Sequence, residues 1–167
     1  MKDLEGFDEL VTRFDNMEKA FSDKELSKIT LRGAAQLLKS VRQRAPRDYG
    51  TLQEGIILHK EKSKTKGKVG YDVMMDPQKN DLFQKPIKNR IRSKSKYGYY
   101  PASQEYGFFT RRPGGGMTYT RSDGTKATMD KVPGKHYMLI GAEDISDAAK
   151  ATILAGVQEI IDKEFKG

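Results

Sequence analysis

The chain contains no cysteine, and this absence removes several kinds of site. Disulfide frameworks, thiolate zinc sites and catalysis by a thiol nucleophile are excluded, and a reducing compartment is favoured. Histidine is scarce as well. Only His59 and His136 are present, and neither has a second ligand at a spacing such as H-x-x-x-H. We therefore expect no metal and no other cofactor.

Long apolar runs are also missing from the sequence. No segment approaches the about 18 consecutive apolar residues of a transmembrane helix. The N-terminal stretch MKDLEGFDEL is acidic and amphipathic, unlike the apolar core of a signal peptide. We therefore expect a soluble protein that is made in the cytoplasm. Apolar residues make up only 36% of the 167 positions, which indicates a modest core and a large solvated or partner-facing surface.

Charge is abundant but unevenly distributed. Residues 1–31 carry 5 Lys and Arg against 8 Asp and Glu, and residues 136–167 carry 3 against 6. Residues 32–135 carry 23 against 9, so the ends are acidic and the centre is basic. This distribution suits nucleic-acid binding, and it equally suits a subunit whose acidic and basic surfaces meet those of neighbouring copies. No helix-turn-helix, zinc-finger or RNA-recognition signature accompanies the basic centre.

Three segments show the apolar period of an amphipathic helix. The first lies within residues 1–21. The second is predicted to run from about 23 to 44 and to stop before Pro46, because proline disfavours helical geometry in the residue that precedes it. The third is predicted to begin with Asp144 or Ser146 as its capping residue.

Strand patterns occupy the middle of the chain. Residues 56–58 begin one strand and residues 69–75 alternate as a second, and we expect an antiparallel pair joined by an exposed, charged tip at 60–68. Residues 117–129 predict another hairpin, with Gly124 in its turn. The order of elements predicts an α+β fold, with N-terminal helices and a C-terminal helix packed on one face of a small antiparallel sheet.

A basic insertion interrupts this pattern at residues 77–96. It holds two prolines, seven Lys and Arg and one acidic residue, without a helical or strand period, so we predict a loop or flexible insertion. The chain is then divided into an N-terminal helix, residues 1–21, and a single domain, residues 22–167.

Glu105 is the one candidate for acid or base chemistry. It lies in YGYYPASQEYGFF, residues 97–109, among aromatic residues where a desolvated carboxylate needs a partner. A single carboxylate without a matched acid or base does not make an active site. We therefore expect a structural carboxylate that pairs with an arginine or caps backbone amides, and we do not expect an enzyme.

Three short motifs occur in a fixed order: VRQRAPRDYGTLQEGI at 41–56, YYPASQEYG at 99–107 and PGKHYMLIGA at 133–142. This order resembles the tail-completion or head-tail joining proteins of tailed bacteriophages and prophages. Their pattern is approximately A-P-x-x-T-G-x-L-x-x-S-I after a helix, then Y-A-x-x-x-E-x-G, then P-x-x-F-[LM]-x-P-A. The resemblance spans about residues 25–162. The matching residues are Ala45, Pro46, Gly50, Leu52, Ile56, Tyr100, Glu105, Gly107, Pro133, Met138 and Ala142.

The chain departs from this pattern at five positions, which bear on the detailed geometry of its interfaces. Each departure replaces one residue of the approximate motif. They are Tyr49 for threonine, Gly55 for serine, Pro101 for alanine, Tyr137 for phenylalanine and Gly141 for proline.

The resemblance implies a non-enzymatic virion protein of the tail or neck, made in the host bacterial cytoplasm. It would complete the tail or join it to the capsid connector as a ring-forming subunit. The implied partners are other copies of itself and neighbouring neck, connector and tail-tube proteins, with no membrane. The alternatives are a tail terminator that caps the tail tube, or a small basic nucleic-acid-binding protein. Candidate contacts to a neighbouring protein or to DNA in a channel are Arg42, Arg44, Arg47, Lys88, Arg90, Arg92, Lys94 and Lys96.

Overall fold

The computed structural model describes residues 6–47, 50–86, 96–111, 115–121 and 123–166. Helices and short strands alternate along the chain, which confirms the predicted α+β class. Within these ranges no helix is long and apolar enough to cross a membrane. The helices are α1 Phe7–Ala20, α2 Asp23–Arg44, α3 Thr51–Glu54, α4 Asn80–Phe83, α5 Tyr100–Tyr106, α6 Tyr137–Glu143 and α7 Ser146–Lys166. The strands are β1 Ile56–Lys60, β2 Tyr71–Met75, β3 Gln84–Pro86, β4 Tyr97–Tyr99, β5 Gly107–Arg111, β6 Met117–Thr120 and β7 Lys126–Pro133.

The three long helices follow the sequence pattern closely. α2 has the predicted bounds, and α7 begins at Ser146. α1 starts after Gly6, whose φ of 97° is a left-handed conformation that glycine adopts without steric cost. The predicted beginning of this first helix, residues 1–5, lies outside the described residues.

Within the described ranges the strands form three small sheets. β1 pairs with β2. The connection between them, residues 61–70, is too short for the crossover that parallel strands need, which favours the expected antiparallel pair. β3 pairs antiparallel with β4, while β7 lies between β5 and β6 and pairs antiparallel with both. The predicted hairpin at 117–129 is confirmed as β6 and β7, with Gly124 at φ 81°. β7 extends further, to Pro133, because it also pairs with β5.

The prediction of a loop was wrong for residues 77–86. Pro77–Lys79 form a 3-10 turn whose entry is capped by Asp76, since its Oδ1 accepts a hydrogen bond from the Gln78 amide at 2.9 Å. α4 and β3 follow directly. Elements of three or four residues are too short to display a period, which is why the sequence did not reveal them. The later part of the predicted insertion, residues 87–95, lies outside the described residues.

The chain folds as two compact units made of discontinuous segments. Unit 1 comprises residues 1–40, 58–74 and 142–167, and unit 2 comprises residues 41–57 and 75–141. The predicted division into residues 1–21 and 22–167 stays a prediction.

Unit 1 is organised by close packing of α2 against α7. A Cβ atom at Gly33 would lie 2.7 Å from Ile153 Cγ1, and one at Gly156 would lie 2.8 Å from Ile29 Cγ2. The two glycines therefore allow these helices to approach more closely than larger residues would permit. Gln36 Nε2 donates a hydrogen bond to Thr152 Oγ1 at 2.9 Å across the same contact.

Unit 2 has a small core in which Phe83 occupies a central place. Its side chain is 1% exposed, and its ring meets that of Tyr99 edge to face, with centroids 6.1 Å apart. Gly55 lies against the same ring, because a Cβ atom there would overlap Phe83. The segment that the sequence indicated as a basic loop thus supplies one of the most buried side chains of the protein.

We predict that Phe83→Ala lowers the free energy of unfolding by about 3–5 kcal/mol, because it removes a buried ring and leaves a cavity. Leu82→Ala is the matched control: its side chain is 60% exposed, and we expect a change within about 0.5 kcal/mol. Urea unfolding followed by circular dichroism measures both. Equal effects of the two substitutions would contradict the placement of Phe83 in the core.

Candidate functional site

Unit 2 gathers the three sequence motifs. Residues 41–56, 99–107 and 133–141 all belong to it, although they are widely separated along the chain. Four of the five residues in the first motif that match the family pattern are buried and therefore serve the core. They are Ala45, Pro46, Leu52 and Ile56.

The end of α2 is closed by a side chain from the following turn. Gln53 Nε2 donates hydrogen bonds to the carbonyl oxygens of Arg42 at 2.7 Å and Ala45 at 3.3 Å. The last carbonyls of a helix have no partner within the helix, so this amide satisfies two groups that burial would otherwise leave without one. Gly50, at φ 73°, then allows the chain to turn into α3. Pro46 stops the helix, and Gln53 completes its end.

Arg42 makes side-chain hydrogen bonds within the fold. Its Nε and Nη2 atoms donate to the carbonyl oxygen of Ile56 at 3.0 and 2.7 Å, and its side chain is half-buried. This pair of hydrogen bonds joins the end of α2 to the first residue of β1. Arg42 therefore has an internal structural contact that the sequence did not predict.

Glu105 caps backbone amides, one of the two structural roles expected for it. Its carboxylate accepts hydrogen bonds from the Met138 amide through Oε2 at 2.9 Å and from the Leu139 amide through Oε1 at 3.2 Å. These amides lie in the first turn of α6, where N–H groups have no partner inside the helix and negative charge is favoured. Glu105 is only 6% exposed, so the two amides satisfy a carboxylate removed from water.

The residue immediately before α6 explains why the cap comes from another segment. Ser, Thr, Asp and Asn are the residues that commonly cap a helix start, whereas this position holds His136 at φ 46°. The His136 amide donates to the Glu105 carbonyl at 3.1 Å, and the Lys135 amide donates to the Gln104 carbonyl at 2.7 Å. The backbone carbonyls of Gln104 and Glu105 and the side chain of Glu105, all on α5, therefore hold the start of α6 together.

Glycines allow these segments to lie in contact. A Cβ atom at Gly134 would overlap the Glu105 carbonyl oxygen, and one at Gly107, φ 84°, would overlap the Val132 carbonyl oxygen. Towards the end of α6, a Cβ atom at Gly141 would lie 2.7 Å from the Val41 Cα atom. Gly141 replaces a proline of the family pattern, and here it allows α6 to pack directly on the last part of α2.

Tyr137 joins the third motif to the end of β2. It is 1% exposed, and its hydroxyl donates weakly to Met75 Sδ at 3.8 Å. Burial and the neighbouring Glu105 carboxylate raise the pKa of the Tyr137 phenol. The hydroxyl therefore stays protonated at neutral pH and remains a donor.

A small cavity links the first two motifs to the segment at 80–86. Its volume is about 160 Å³. It lies beside Pro46, which ends α2, and between the turn that follows α2 and the beginning of α5. The lining residues are Pro46, Thr51, Leu52, Leu82, Phe83, Lys85 and Tyr100.

Comparison with known protein families gives the family of this chain. The sequence pattern of the family described as "Bacteriophage HK97-gp10, putative tail-component" matches residues 8–101, more than half of the chain. The chain belongs to the HK97-gp10-like family. Neither the curated proteins nor the solved structures yield a significant match.

Membership of the HK97-gp10-like family confirms the suspected relation to phage tail proteins and identifies this chain as a structural component of a phage. The matched range includes α1 except for Phe7, as well as the whole first motif, and it ends at Pro101. The matched range therefore excludes Glu105, Gly107 and residues 133–142. The roles of these residues are inferred from the hydrogen bonds and close contacts of unit 2.

The predicted contact arginines and lysines fall into three groups. Arg44, Arg47 and Lys96 are exposed, whereas Arg42 is half-buried and bonded to Ile56. The remaining ones lie outside the described residues: Lys88, Arg90, Arg92 and Lys94. Their role in contacts stays a prediction.

Two residues important for this arrangement were not identified in the sequence, namely Gln53 and Gly134. A glutamine that caps a helix from the following turn has no fixed spacing to recognise, because the loop geometry determines which carbonyls it reaches. Gly134 had a weak signal, since Pro133-Gly134 is a turn dipeptide. The sequence alone did not show that its missing side chain makes room for Glu105.

We predict that Glu105→Gln lowers the free energy of unfolding by about 1–3 kcal/mol. The amide of glutamine offers one acceptor where the carboxylate offers two, so one buried N–H of α6 loses its partner. Glu143→Gln is the matched control, because Glu143 is exposed at the end of the same helix. Chemical unfolding measures both variants. An unchanged stability for Glu105→Gln would show that the carboxylate does not hold α6.

Proposed function

We propose that this HK97-gp10-like protein acts at the head-tail junction of a phage or prophage virion. There it completes the tail or joins it to the capsid connector as one subunit of a ring. The family match over residues 8–101 is the observation that carries the proposal. The order of the three motifs resembles that in tail-completion proteins. This resemblance supports the more specific position at the head-tail junction.

Surface properties of the folded chain favour a subunit over an isolated monomer. Several large apolar side chains remain exposed, including Phe14 at 56% and Phe109 at 57%. Exposed apolar surface rimmed by charge is typical of protein-protein contacts. Acidic α1 and the basic centre of the sequence provide charges of opposite sign for neighbouring copies.

We propose a structural role without catalysis. Glu105 was the one acid-base candidate, and its carboxylate binds the amides of Met138 and Leu139. A group used in this way is held in the fold instead of facing a substrate. The binding partners of the proposed subunit are copies of itself, neighbouring neck or connector proteins and tail-tube proteins.

We predict that a phage lacking this gene produces filled heads and tails that fail to join, or tails with a defective end. Supplying the wild-type chain in trans should restore joining, because the protein acts as a structural part. Negative-stain electron microscopy of lysates measures the fraction of joined particles. Normal, infectious particles without the gene would contradict the proposed function.

The same micrographs distinguish the proposal from its nearest alternative. A tail terminator stops polymerisation of the tail tube, so its loss produces tails of abnormal length. A joining or completing protein leaves tail length unchanged and removes only the connection. Overlong tails in the deletion phage would therefore favour the tail terminator.

Contact with DNA is a second candidate function, favoured by the tip of the β1–β2 connection. Lys60, Lys62, Lys64 and Lys68 are exposed there, while Lys66 pairs with Glu18 at 2.7 Å. Lysines on an exposed loop make phosphate contacts that do not depend on base sequence. In the proposed ring, such a tip would line a channel through which DNA passes.

We predict that replacing Lys62, Lys64 and Lys68 with glutamine weakens binding to duplex DNA at low salt. The slope of log affinity against log salt should fall by about 0.9 for each lost phosphate contact. The control changes Lys24, Lys39 and Lys163, which are also exposed, and alters the net charge equally. Equal losses in both triple variants would contradict a local DNA contact at the tip.

A further inference from the structure

One face of α1 is apolar and exposed. Phe7, Leu10, Val11 and Phe14 are 58%, 45%, 42% and 56% exposed, and their spacing places them along one stripe of the helix. α1 contacts α7, yet none of its side chains, all of which the structure describes, is buried. A helix that keeps its apolar stripe in water has a surface suited to a partner.

The charges around this stripe are mainly acidic. α1 carries four acidic residues against Arg13 and Lys19, so the helix has a net negative charge. Arg13 is already paired with Glu9 at 2.9 Å within the helix. A second copy of α1 would bring like charges together, so the stripe favours a positively charged partner surface.

The sheet of β5, β7 and β6 offers an apolar strip of its own. Met129 lies opposite both Arg111 and Met117, and Phe109 lies two residues before Arg111 on β5. Since side chains alternate between the faces of a strand, Phe109, Met129 and Met117 share one face. Phe109 and Met117 are 57% and 49% exposed, and Met129 is half-buried.

The charge of this sheet is opposite to that of α1. Residues 107–133 contain five Lys and Arg against two Asp and Glu. Lys131 is exposed and lies opposite Phe109 in the register, so it shares the face with the apolar strip. The sheet thus combines apolar surface with positive charge, as α1 combines it with negative charge.

We propose that α1 of one copy packs on this face of the β5–β7–β6 sheet of the next copy. The contact rests on the proposed role as a ring subunit and specifies how the subunits would bind each other. It joins two different surfaces of one chain, so it is heterologous. Repeated contacts of this kind close into a ring when the rotation permits.

The dimensions of the two surfaces agree. A helix of 14 residues is about 21 Å long and about 10 Å wide with its side chains. The eight residues of β7 span about 27 Å, with β6 beside its first half and β5 beside its second half, so that all three strands lie side by side only at Met129. Tyr119 shares this face and is already buried within its own chain, so the helix fits along the remaining part, which carries Phe109, Met117 and Met129.

Single-cysteine variants test this contact directly, because the chain has no cysteine of its own. Leu10→Cys on α1 and Met117→Cys on the sheet are mixed as full-length, purified proteins and treated with a short bismaleimide. We expect a cross-linked species that contains one copy of each variant, identified by mass spectrometry of the linked peptides. Each variant alone should give at least tenfold less dimer.

Leu154→Cys is the matched control for the α1 variant. Leu154 is another exposed leucine, at 67%, on α7 and outside the proposed surface. Mixed with Met117→Cys, it should give at least tenfold less cross-linked product than Leu10→Cys does. Circular dichroism confirms that each variant is folded, which is expected because all three positions are exposed.

Three results would overturn the inference. Links between two Leu10→Cys copies would show that α1 packs on a second α1. Equal yields from Leu10→Cys and Leu154→Cys would show collision without a specific contact. Absence of any link at the highest soluble concentration would show that α1 of one copy does not pack on the sheet of another.

The particle experiment separates this inference from the proposed function. If deletion of the gene leaves normal particles while the α1 and sheet variants still link, the function fails and the contact stands. If heads and tails separate but no link forms, the function stands and the contact fails.

Discussion

The capping of α6 by the Glu105 carboxylate is the interaction on which unit 2 depends. A carboxylate only 6% exposed is stable there because the Met138 and Leu139 amides replace the water that it has lost. The amides, in turn, need an acceptor because His136 does not have the usual side chain of a helix cap. Gly134 permits the approach that this hydrogen bonding requires. The two later motifs of the sequence are therefore two sides of one contact, and their separation along the chain reflects the intervening sheet.

The sequence predicted the parts of the fold that local patterns determine. α2 and its end before Pro46 follow from apolar period and proline geometry, and the hairpin follows from alternation around Gly124. α4, α5 and α6 are too short to show a period, so tertiary contacts decide them: Phe83 fills a core, and Glu105 holds a helix start. The nature of Glu105 as a structural carboxylate was predictable from its aromatic surroundings, whereas its partners were not, because they come from a distant segment. The hydrogen bonds of Arg42 to the Ile56 carbonyl were likewise not predictable, because they join the end of α2 to a separate strand.

The functional account combines a family relation with surfaces that the fold leaves exposed. Family membership identifies a phage tail component, and the buried contacts explain how the motifs hold unit 2 together. Those contacts are internal, so residues such as Leu52 and Glu105 support the fold and are not themselves assembly surfaces. The apolar, acidic stripe of α1 and the apolar, basic face of the sheet are the two exposed surfaces that we propose for contacts with neighbouring copies. In this account the core keeps the subunit folded, while the exposed helix and sheet determine how copies bind each other.

Cryo-electron microscopy of the neck in intact virions tests the central claim most directly. The account predicts a ring of this chain between the capsid connector and the tail tube, with α1 of each copy on the β5–β7–β6 sheet of the next. Density for the chain elsewhere in the particle, or particles in which the chain is absent from a fully joined neck, would contradict it.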